Sequence, residues 1–489
     1  MREFAELAEN YQFIPVRMSS GNLAGYLHLH STETKAILSS KEFHHFDDDE
    51  NGWFDLEIED HRGSRILLHN ALTNSKSMGG VSSGERTGSY TSDIFPNIVI
   101  LGSENLRKDR TVQSLSFTIE GGENFFVYDM LEWRSLHAQP DRHKVLKAIR
   151  QGAWKPPKGL SVRSDANDPH DVYIIHRPRT YLDVPLADGR LRVWHSRAQR
   201  GLGWTGHEIR ITPVISITFN NPISIDDAID RLWQIKGFFD ELALTDLRVK
   251  SVSVSKFKKG WPAADLYLPN EARRELKRRL DVHPLHVPFS RWRERKQFGA
   301  ALGKWLQHSE HRRFFRAAIR LSLSRLERES DPTLLTLLMA GIESLPELSA
   351  SSGVSKETIK KMAHAAHAVE PSLDLGAIRG LLGVFGRTSP KQRLRRLVDG
   401  FFTGDVEGDG EVFLSKSLEL RNKIAHGKWM TEDERRAAGE LARAIACLCV
   451  AYDLRTSGFP SAKGEPEARR LLADSRMSWA WQGYKLRAA

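Results

Sequence analysis

The amino-acid sequence predicts an α+β fold in several domains, with a β-rich, sandwich-like N-terminal region followed by an all-α region. In the first half apolar and polar residues alternate, as over 114–119 and 215–219, which is typical of a strand with one buried face. After about Pro269, apolar residues recur at the three- and four-residue spacing of amphipathic helices. A chain of 489 residues is long enough to bury more than one core.

Changes in composition divide the chain into four parts. We expect a β-rich region over 1–265, a basic helical connector over 266–305, a helical domain over 306–456 and a C-terminal tail over 457–489. Between Glu271 and Ser330 there are sixteen Lys and Arg residues against seven acidic ones. This excess has two interpretations, a surface that binds a polyphosphate and a solvated helical face.

Turn and cap residues mark the ends of elements in the β-rich region. Asp188-Gly189 within 187–190 predicts a hairpin turn, because both residues accept positive φ. Gly and Ser cluster over 75–89, which indicates a loose surface loop. Ser224 has the character of an N-cap with an acid three residues later, so a helix should begin there. A last strand is expected over 250–255.

The helical region contains several separate helices. Helical periodicity is expected over 271–280, 358–368, 374–385, 411–426 and 431–455. Thr431 and Glu434 have the spacing of a capping box for the last of these. On that helix Cys447 and Cys449 are two residues apart and point to different sides, so we expect buried thiols rather than a disulfide.

Neither a membrane span nor a signal peptide is predicted. No run of about 18 apolar residues occurs, and the first residues alternate acids with apolar side chains instead of forming a basic flank and an apolar core. We therefore expect a cytoplasmic protein with no membrane partner.

The segment Glu411–Gly427 contains the residues with the clearest chemical potential. Gly427 stands where a left-handed residue ends a helix, which places His426 at the last helical position or the C-cap. The negative end of the helix dipole favours a protonated imidazole there. Arg421 lies about 140° around the axis and about 7.5 Å along it from His426. The two side chains converge only if the last turn is distorted or a second copy of the helix faces the first.

These residue types match the requirements of RNA cleavage without a metal. That reaction needs a base for the 2′-hydroxyl proton, an acid for the leaving 5′-oxygen and a cation for the phosphorane charge. His426 can serve as the acid or the base, and Arg421 as the cation. The amide of Asn422 can orient the phosphate or the histidine.

The motif over 421–427, Arg-Asn-x-x-x-His-Gly, resembles the HEPN superfamily (higher eukaryotes and prokaryotes nucleotide-binding). Its ribonucleases carry Arg, a polar residue, three further residues and His late in an α-helical bundle. The whole chain most resembles the ApeA-type HEPN proteins of bacterial abortive-infection defence, which combine a β-rich N-terminal domain with this bundle. The strands predicted around 25–27 and 53–56 are similar to theirs.

The resemblance implies a metal-independent endoribonuclease that is the toxic effector of an anti-phage system. It implies catalytic roles for Arg421 and His426 and a supporting role for Asn422. Glu343 resembles an acidic residue on an early helix in many relatives, which would make it a further site residue; the alternative is an acid on a solvated helix face. It implies RNA as substrate, no cofactor, and a homodimer with facing motifs. The N-terminal region would sense a phage-derived trigger. The alternative is a non-catalytic HEPN protein that binds RNA or acts as an adaptor; the intact pair of Arg421 and His426 favours the enzyme.

Three further groups are weaker candidates for binding sites. The segment 405–410 has the start of a calcium loop, but Lys416 stands where a bidentate Glu is needed, so an acidic turn is expected. His364 and His367 share a helix face without a third ligand. The His- and Asp-rich segment 44–50 is expected to be a solvated loop. No metal or cofactor site is predicted.

Overall fold

A computed structural model describes most of the chain. The described residues are 2–18, 23–30, 33–40, 52–82, 85–126, 131–136, 170–175, 180–201, 207–243, 245–272, 295–325, 331–348, 356–372, 374–383, 388–399 and 409–458. Most of the predicted basic connector, the segment 44–50, the residues 405–408 and the C-terminal tail beyond Gly458 lie outside these ranges.

The N-terminal region is built from antiparallel strands. Their bounds are β1 Ile14–Met18, β2 Ala24–His28, β3 Lys35–Ser40, β4 Phe54–Asp60, β5 Arg65–Ser82, β6 Glu85–Leu101, β7 Val112–Ile119, β8 Leu131–Leu136, β9 His170–Ile175, β10 Thr180–Leu186, β11 Gly189–Gly201, β12 His207–Ile223, β13 Val249–Ser255 and β14 Ala264–Tyr267. Strands β8 and β9 pair with each other, and the others form one twelve-stranded sheet in the order β10-β11-β12-β7-β13-β14-β6-β3-β2-β1-β4-β5.

The sheet closes on itself, because β5 at its end also pairs with β6. One edge of the long strand β6 pairs with β3 near Tyr90 and with β14 near Leu101, and its other edge pairs with β5. The expected sandwich-like arrangement is therefore wrong in detail. The physical reason is that one long strand serves both parts of the sheet, which two separate stacked sheets would not allow.

The expected loop over 75–89 is also wrong. The paired backbones of β5 and β6 run from Ile66 opposite Leu101 to Ser82 opposite Glu85, so the Gly- and Ser-rich residues extend a hairpin. Backbone pairing along the whole hairpin outweighs the weak strand preference of Gly and Ser.

Other local expectations for this region are confirmed. Leu186 is opposite Gly189 in the hairpin that joins β10 to β11. The N–H of Asp227 donates to Ser224 Oγ at 3.0 Å, so Ser224 caps the helix that follows. The strand expected over 250–255 is β13.

The helices within and just after the β-rich region are α1 Phe4–Asn10, α2 Gly122–Phe125, α3 Ile225–Ala243, α4 Pro269–Ala272 and α5 Arg295–Gln307. Helix α3 packs on β7, and its Phe238 and Phe239 are buried in the core of the sheet. Helix α5 packs on β10 and adds Phe298 and Trp305 to the same core. The first hydrophobic core thus includes a helix that follows the sheet in sequence.

The helical domain contains α6 Arg313–Arg325, α7 Thr333–Glu343, α8 Lys356–Val369, α9 Leu375–Gly383, α10 Pro390–Asp399, α11 Asp409–Ala425 and α12 Glu432–Thr456. The helices expected over 358–368, 374–385, 411–426 and 431–455 are found within a few residues of those bounds. Asp409 and Gly410, expected in an acidic turn, begin α11 instead.

Helix α7 lies at the centre of this domain and packs against α6, α10, α11 and α12. Its Leu338 and Ile342 are buried with Leu414 of α11 and Ile445 of α12 in a second hydrophobic core. Leu454, near the end of α12, packs against both cores. Together the two cores establish an α+β chain with a β-rich N-terminal and a helical C-terminal region. No helix among the described residues has the length and apolarity to cross a membrane.

Candidate active site at the end of helix α11

The turn after α11 has the geometry that the sequence predicts. Gly427 is left-handed, with φ of +61°. The Gly427 N–H donates to the carbonyl of Ile424 at 3.0 Å, and the Lys428 N–H to the carbonyl of Lys423 at 2.9 Å. These two bonds define a Schellman motif, which satisfies the last carbonyls of the helix. His426 is its C-cap residue, and its side chain is exposed.

Arg421 lies on the same helix but in different surroundings. Its side chain is 24% exposed, and its Nη2 is 3.2 Å from Oε1 of Glu343. Its Nη1 donates to Oδ1 of Asn422 at 3.1 Å. Its Nε is buried and donates no hydrogen bond within the described residues. The guanidinium is therefore held from two sides while part of it faces solvent.

Glu343, the last residue of α7, lies beside Arg421. Its carboxylate is 33% exposed and pairs with Arg421, while its backbone carbonyl accepts a hydrogen bond of 2.6 Å from Nη1 of Arg393. The same Nη1 donates to the carbonyl of Leu345 at 3.0 Å. Helix α7 thus ends between two guanidinium groups. The sequence contains no local signal for Arg393, because its partners lie about fifty residues earlier.

Arg421 and His426 do not meet within one chain. No hydrogen bond or ion pair joins these two residues, both of which belong to the described part of the chain. Arg421 points toward α7, whereas His426 lies beyond the last helical residue, Ala425. The regular helix and its Schellman turn rule out the distorted last turn in this structure. Convergence on one phosphate then requires a second copy of the motif or a substrate that spans both groups.

Parts of two other predicted candidates lie within the described residues. His364 is hydrogen-bonded to Arg379, with 2.8 Å between Nε2 and Nη2, and a guanidinium beside an imidazole opposes cation binding. Lys416 pairs with Glu419 on α11 at 3.2 Å. Across the described ranges no group of three or more His, Cys, Asp or Glu residues could hold a metal ion. Cys447 and Cys449 are buried and form no disulfide with each other, and burial raises the pKa of the Cys449 thiol.

A buried polar network joins the two cores. Both oxygens of Asp453, which has no exposed surface, accept hydrogen bonds, one from Arg312 at 2.5 Å and the other from Arg316 at 2.6 Å. The guanidinium of Arg316 also lies 3.6 Å from the ring centroid of Trp305. Trp305 donates its indole N–H to Glu241 of α3 at 3.2 Å. Burial raises the pKa of Glu241 well above its ordinary value, and the charge of Asp453 raises it further.

A second titratable cluster, which sequence reasoning missed, lies in the β-rich region. The ring nitrogens of the largely buried His69 are 2.9 Å from Asp55 Oδ1 and 3.0 Å from Asp226 Oδ1. Burial alone would lower the pKa of His69, but the two carboxylates raise it above its usual value. Arg110 forms an ion pair with the other oxygen of Asp55. Because both ring nitrogens face carboxylates, a protonated His69 can donate to both of them.

Comparisons of the chain with protein-family models, curated proteins and solved structures find no match.

Proposed function

We propose that the chain is a metal-independent endoribonuclease whose active site is formed by Arg421 and His426. The observation that carries the proposal is the contrast at the end of α11, where a part-buried guanidinium held by Glu343 is followed along the chain by an exposed imidazole. Fixed cations stabilise developing phosphorane charge at little reorganisation cost. An accessible imidazole can accept or donate a proton as a general base or acid. The resemblance of 421–427 to the HEPN motif supports catalytic roles for these two residues.

In this mechanism His426 takes the proton of the 2′-hydroxyl group or gives a proton to the leaving 5′-oxygen. Attack of the 2′-oxygen on phosphorus breaks the bond to the 5′-oxygen and leaves a 2′,3′-cyclic phosphate. Arg421 stabilises the charge on the phosphorane, and Glu343 and Asn422 hold its guanidinium in place. A two-fold homodimer supplies the second histidine or arginine that one chain lacks.

We further propose a role in anti-phage defence. The protein would act as the toxic effector of an anti-phage abortive-infection system, with the β-rich region sensing a phage-derived trigger. The extent of that region supports a regulatory role, because a helical domain of this size does not need so large a partner in order to fold. The buried network around Asp453 supplies a physical connection between the two regions.

One observation favours the non-catalytic alternative, in which the protein binds RNA or acts as an adaptor. Arg421 is already paired with Glu343, and neither a hydrogen bond nor an ion pair joins it to His426 among the described residues. In that case the helical domain would only bind or dimerise.

The test is RNA cleavage by purified protein in EDTA, with analysis of the product ends. We expect cleavage with 2′,3′-cyclic phosphate ends, and loss of cleavage in His426→Ala. The matched control is His311→Ala, which removes another exposed histidine of the helical region. Dependence on Mg²⁺, 5′-phosphate products or full activity of His426→Ala would contradict the proposal.

A further inference from the structure

The link between α11 and α12 is fixed at both ends. It begins with the Schellman motif around Gly427 and ends with a capping box, in which the Glu434 N–H donates to Thr431 Oγ1 at 3.2 Å. The Thr431 N–H donates back to Glu434 Oε2 at 3.2 Å. Met430, between these two motifs, is buried in the helical core. The positions of the intervening residues are therefore set by hydrogen bonds and by one buried side chain.

Trp429 lies on this link and is 83% exposed. An exposed indole forgoes the stabilisation that burial of its large apolar surface would provide. The residues from 425 to 428 are exposed beside it, including the proposed catalytic His426. The guanidinium of Arg435, in the first turns of α12, lies 5.6 Å from the ring centroid and leaves most of the ring open. The fold thus presents an exposed aromatic ring on a backbone segment that hydrogen bonds hold in place.

The charges around this ring favour an anionic ligand. The segment 421–436 contains five Lys and Arg residues against three acids. One acid, Glu434, is paired with Lys423 at 2.6 Å. The other two, Glu432 and Asp433, lie in the first turn of α12, where they offset the positive end of the helix. Lys428 and Arg435 remain beside the indole.

We propose that Trp429 is a stacking platform for one base of single-stranded RNA. This inference rests on the proposed nuclease function and adds a substrate class to the same site. Proteins bind unpaired bases by stacking them on aromatic side chains while nearby cations contact the phosphates. Three residues span at most about 11 Å, so the indole lies within reach of a nucleotide whose phosphate contacts His426. Duplex RNA keeps its bases stacked inside the helix and cannot use the platform.

A second subunit is the rival occupant of this surface. Two-fold pairing through Trp429 would bring Lys428 and Arg435 of each copy toward those of the other, and like charges in contact oppose association. A polyanion is instead attracted by these cations. The charges therefore favour nucleic acid over a second copy at this ring.

The experiment measures binding separately from cleavage. Its probe is a fluorescein-labelled, single-stranded 2′-O-methyl oligonucleotide of mixed sequence, which lacks the attacking hydroxyl group and stays intact. Fluorescence anisotropy gives its dissociation constant for the full-length wild type, Trp429→Ala, Trp429→Phe and Trp261→Ala. Trp261 is the matched control, because it is 78% exposed and lies in the β-rich region. We expect Trp429→Ala to weaken binding about tenfold or more, Trp429→Phe only a few-fold, and Trp261→Ala not at all.

Three results would overturn the inference. The first is a wild type that does not bind the oligonucleotide, and the second is a Trp429→Ala variant that binds it as tightly as the wild type. The third is sedimentation showing that Trp429→Ala converts a dimer to monomers with oligonucleotide binding intact, which assigns the ring to a subunit contact. Thermal melts verify that each variant is folded.

Failure of the nuclease proposal gives a different pattern. If the wild type cleaves no RNA but binding depends on Trp429, the stacking platform stands without the nuclease. If the wild type cleaves RNA and Trp429→Ala binds and cleaves equally well, the nuclease stands without the platform.

Discussion

Two arginine–carboxylate groups of the helical domain differ in their exposure to solvent. Arg316 and Asp453 are buried between the two hydrophobic cores, and every polar contact there is internal to the protein. Arg421 and Glu343 are partly exposed, and an exposed histidine and tryptophan follow Arg421 along the chain. The same residue types therefore have different roles. The buried pair of Arg316 and Asp453 holds the two regions together, whereas the partly exposed pair of Arg421 and Glu343 is accessible to a ligand.

The sharpest test of this comparison replaces one arginine of each pair and measures both RNA cleavage and thermal stability. We expect Arg421→Ala to lower the rate of RNA cleavage at least about 100-fold, because one fixed donor to the transition state is lost. Its melting temperature should change little, since Glu343 remains partly solvated. Arg316→Ala should instead lower the melting temperature strongly. Cleavage assays and calorimetry on both variants check this, and a reversed pattern would contradict the assignment.

The largest effect on stability should come from Asp453→Ala. Removal of this carboxylate leaves Arg312 and Arg316 buried without their shared partner, which costs about 3–5 kcal/mol in the free energy of unfolding. The control is Glu411→Ala, because Glu411 pairs with Lys391 and Arg395 at the surface, where ion pairs contribute little. Denaturant unfolding measures both, and equal losses would refute the distinction.

The His69 cluster predicts how the stability of the β-rich region depends on pH. The raised pKa of His69 means that its contribution is complete below the unfolded value of about 6.5 and is lost as the pH rises through the folded value. Burial opposes ionisation of Asp55, but its hydrogen bonds with His69 and the Asn70 N–H hold its pKa below the ordinary value. That contribution is present above about pH 3.9 and is lost as the pH falls through the folded value.

Melting curves between pH 5 and pH 9 provide the measurement. The wild type should lose stability above neutral pH, whereas His69→Gln should be less stable at low pH and show a flatter profile. Arg110, on the far side of Asp55, should limit the change in the pKa of that carboxyl when His69 is replaced. An identical slope in both proteins would exclude His69 as the titrating group.

The smallest effect is expected for Glu241→Gln. Burial raises the pKa of Glu241, and the neighbouring charge of Asp453 raises it further, so we expect the neutral carboxyl at this site. An amide of similar shape should then change the free energy of unfolding by less than about 1 kcal/mol. Glu241→Ala leaves the indole N–H of Trp305 unpaired and should cost about 1–3 kcal/mol. A large loss in Glu241→Gln would show that the carboxylate is charged.

Features that depend on neighbouring residues could be predicted from the sequence. The Schellman turn at Gly427 requires a residue that adopts positive φ, and Gly does so without steric cost. The capping box of Thr431 and Glu434 depends on a fixed three-residue spacing. Alternation in β7 and β12 and helical periodicity in α11 and α12 gave the α+β division for the same reason. Each of these patterns is a property of a short segment.

The sequence by itself thus determined the local elements, the α+β class and the motif at the end of α11. Only the tertiary structure decided which distant groups meet. His69 lies 157 residues from Asp226 and Arg316 lies 137 residues from Asp453, and no local period specifies such pairs. The closure of the sheet through β6 and the extension of the hairpin over 75–89 were missed for the same reason. Strand pairing and burial depend on the path of the whole chain, which a short-range pattern does not contain.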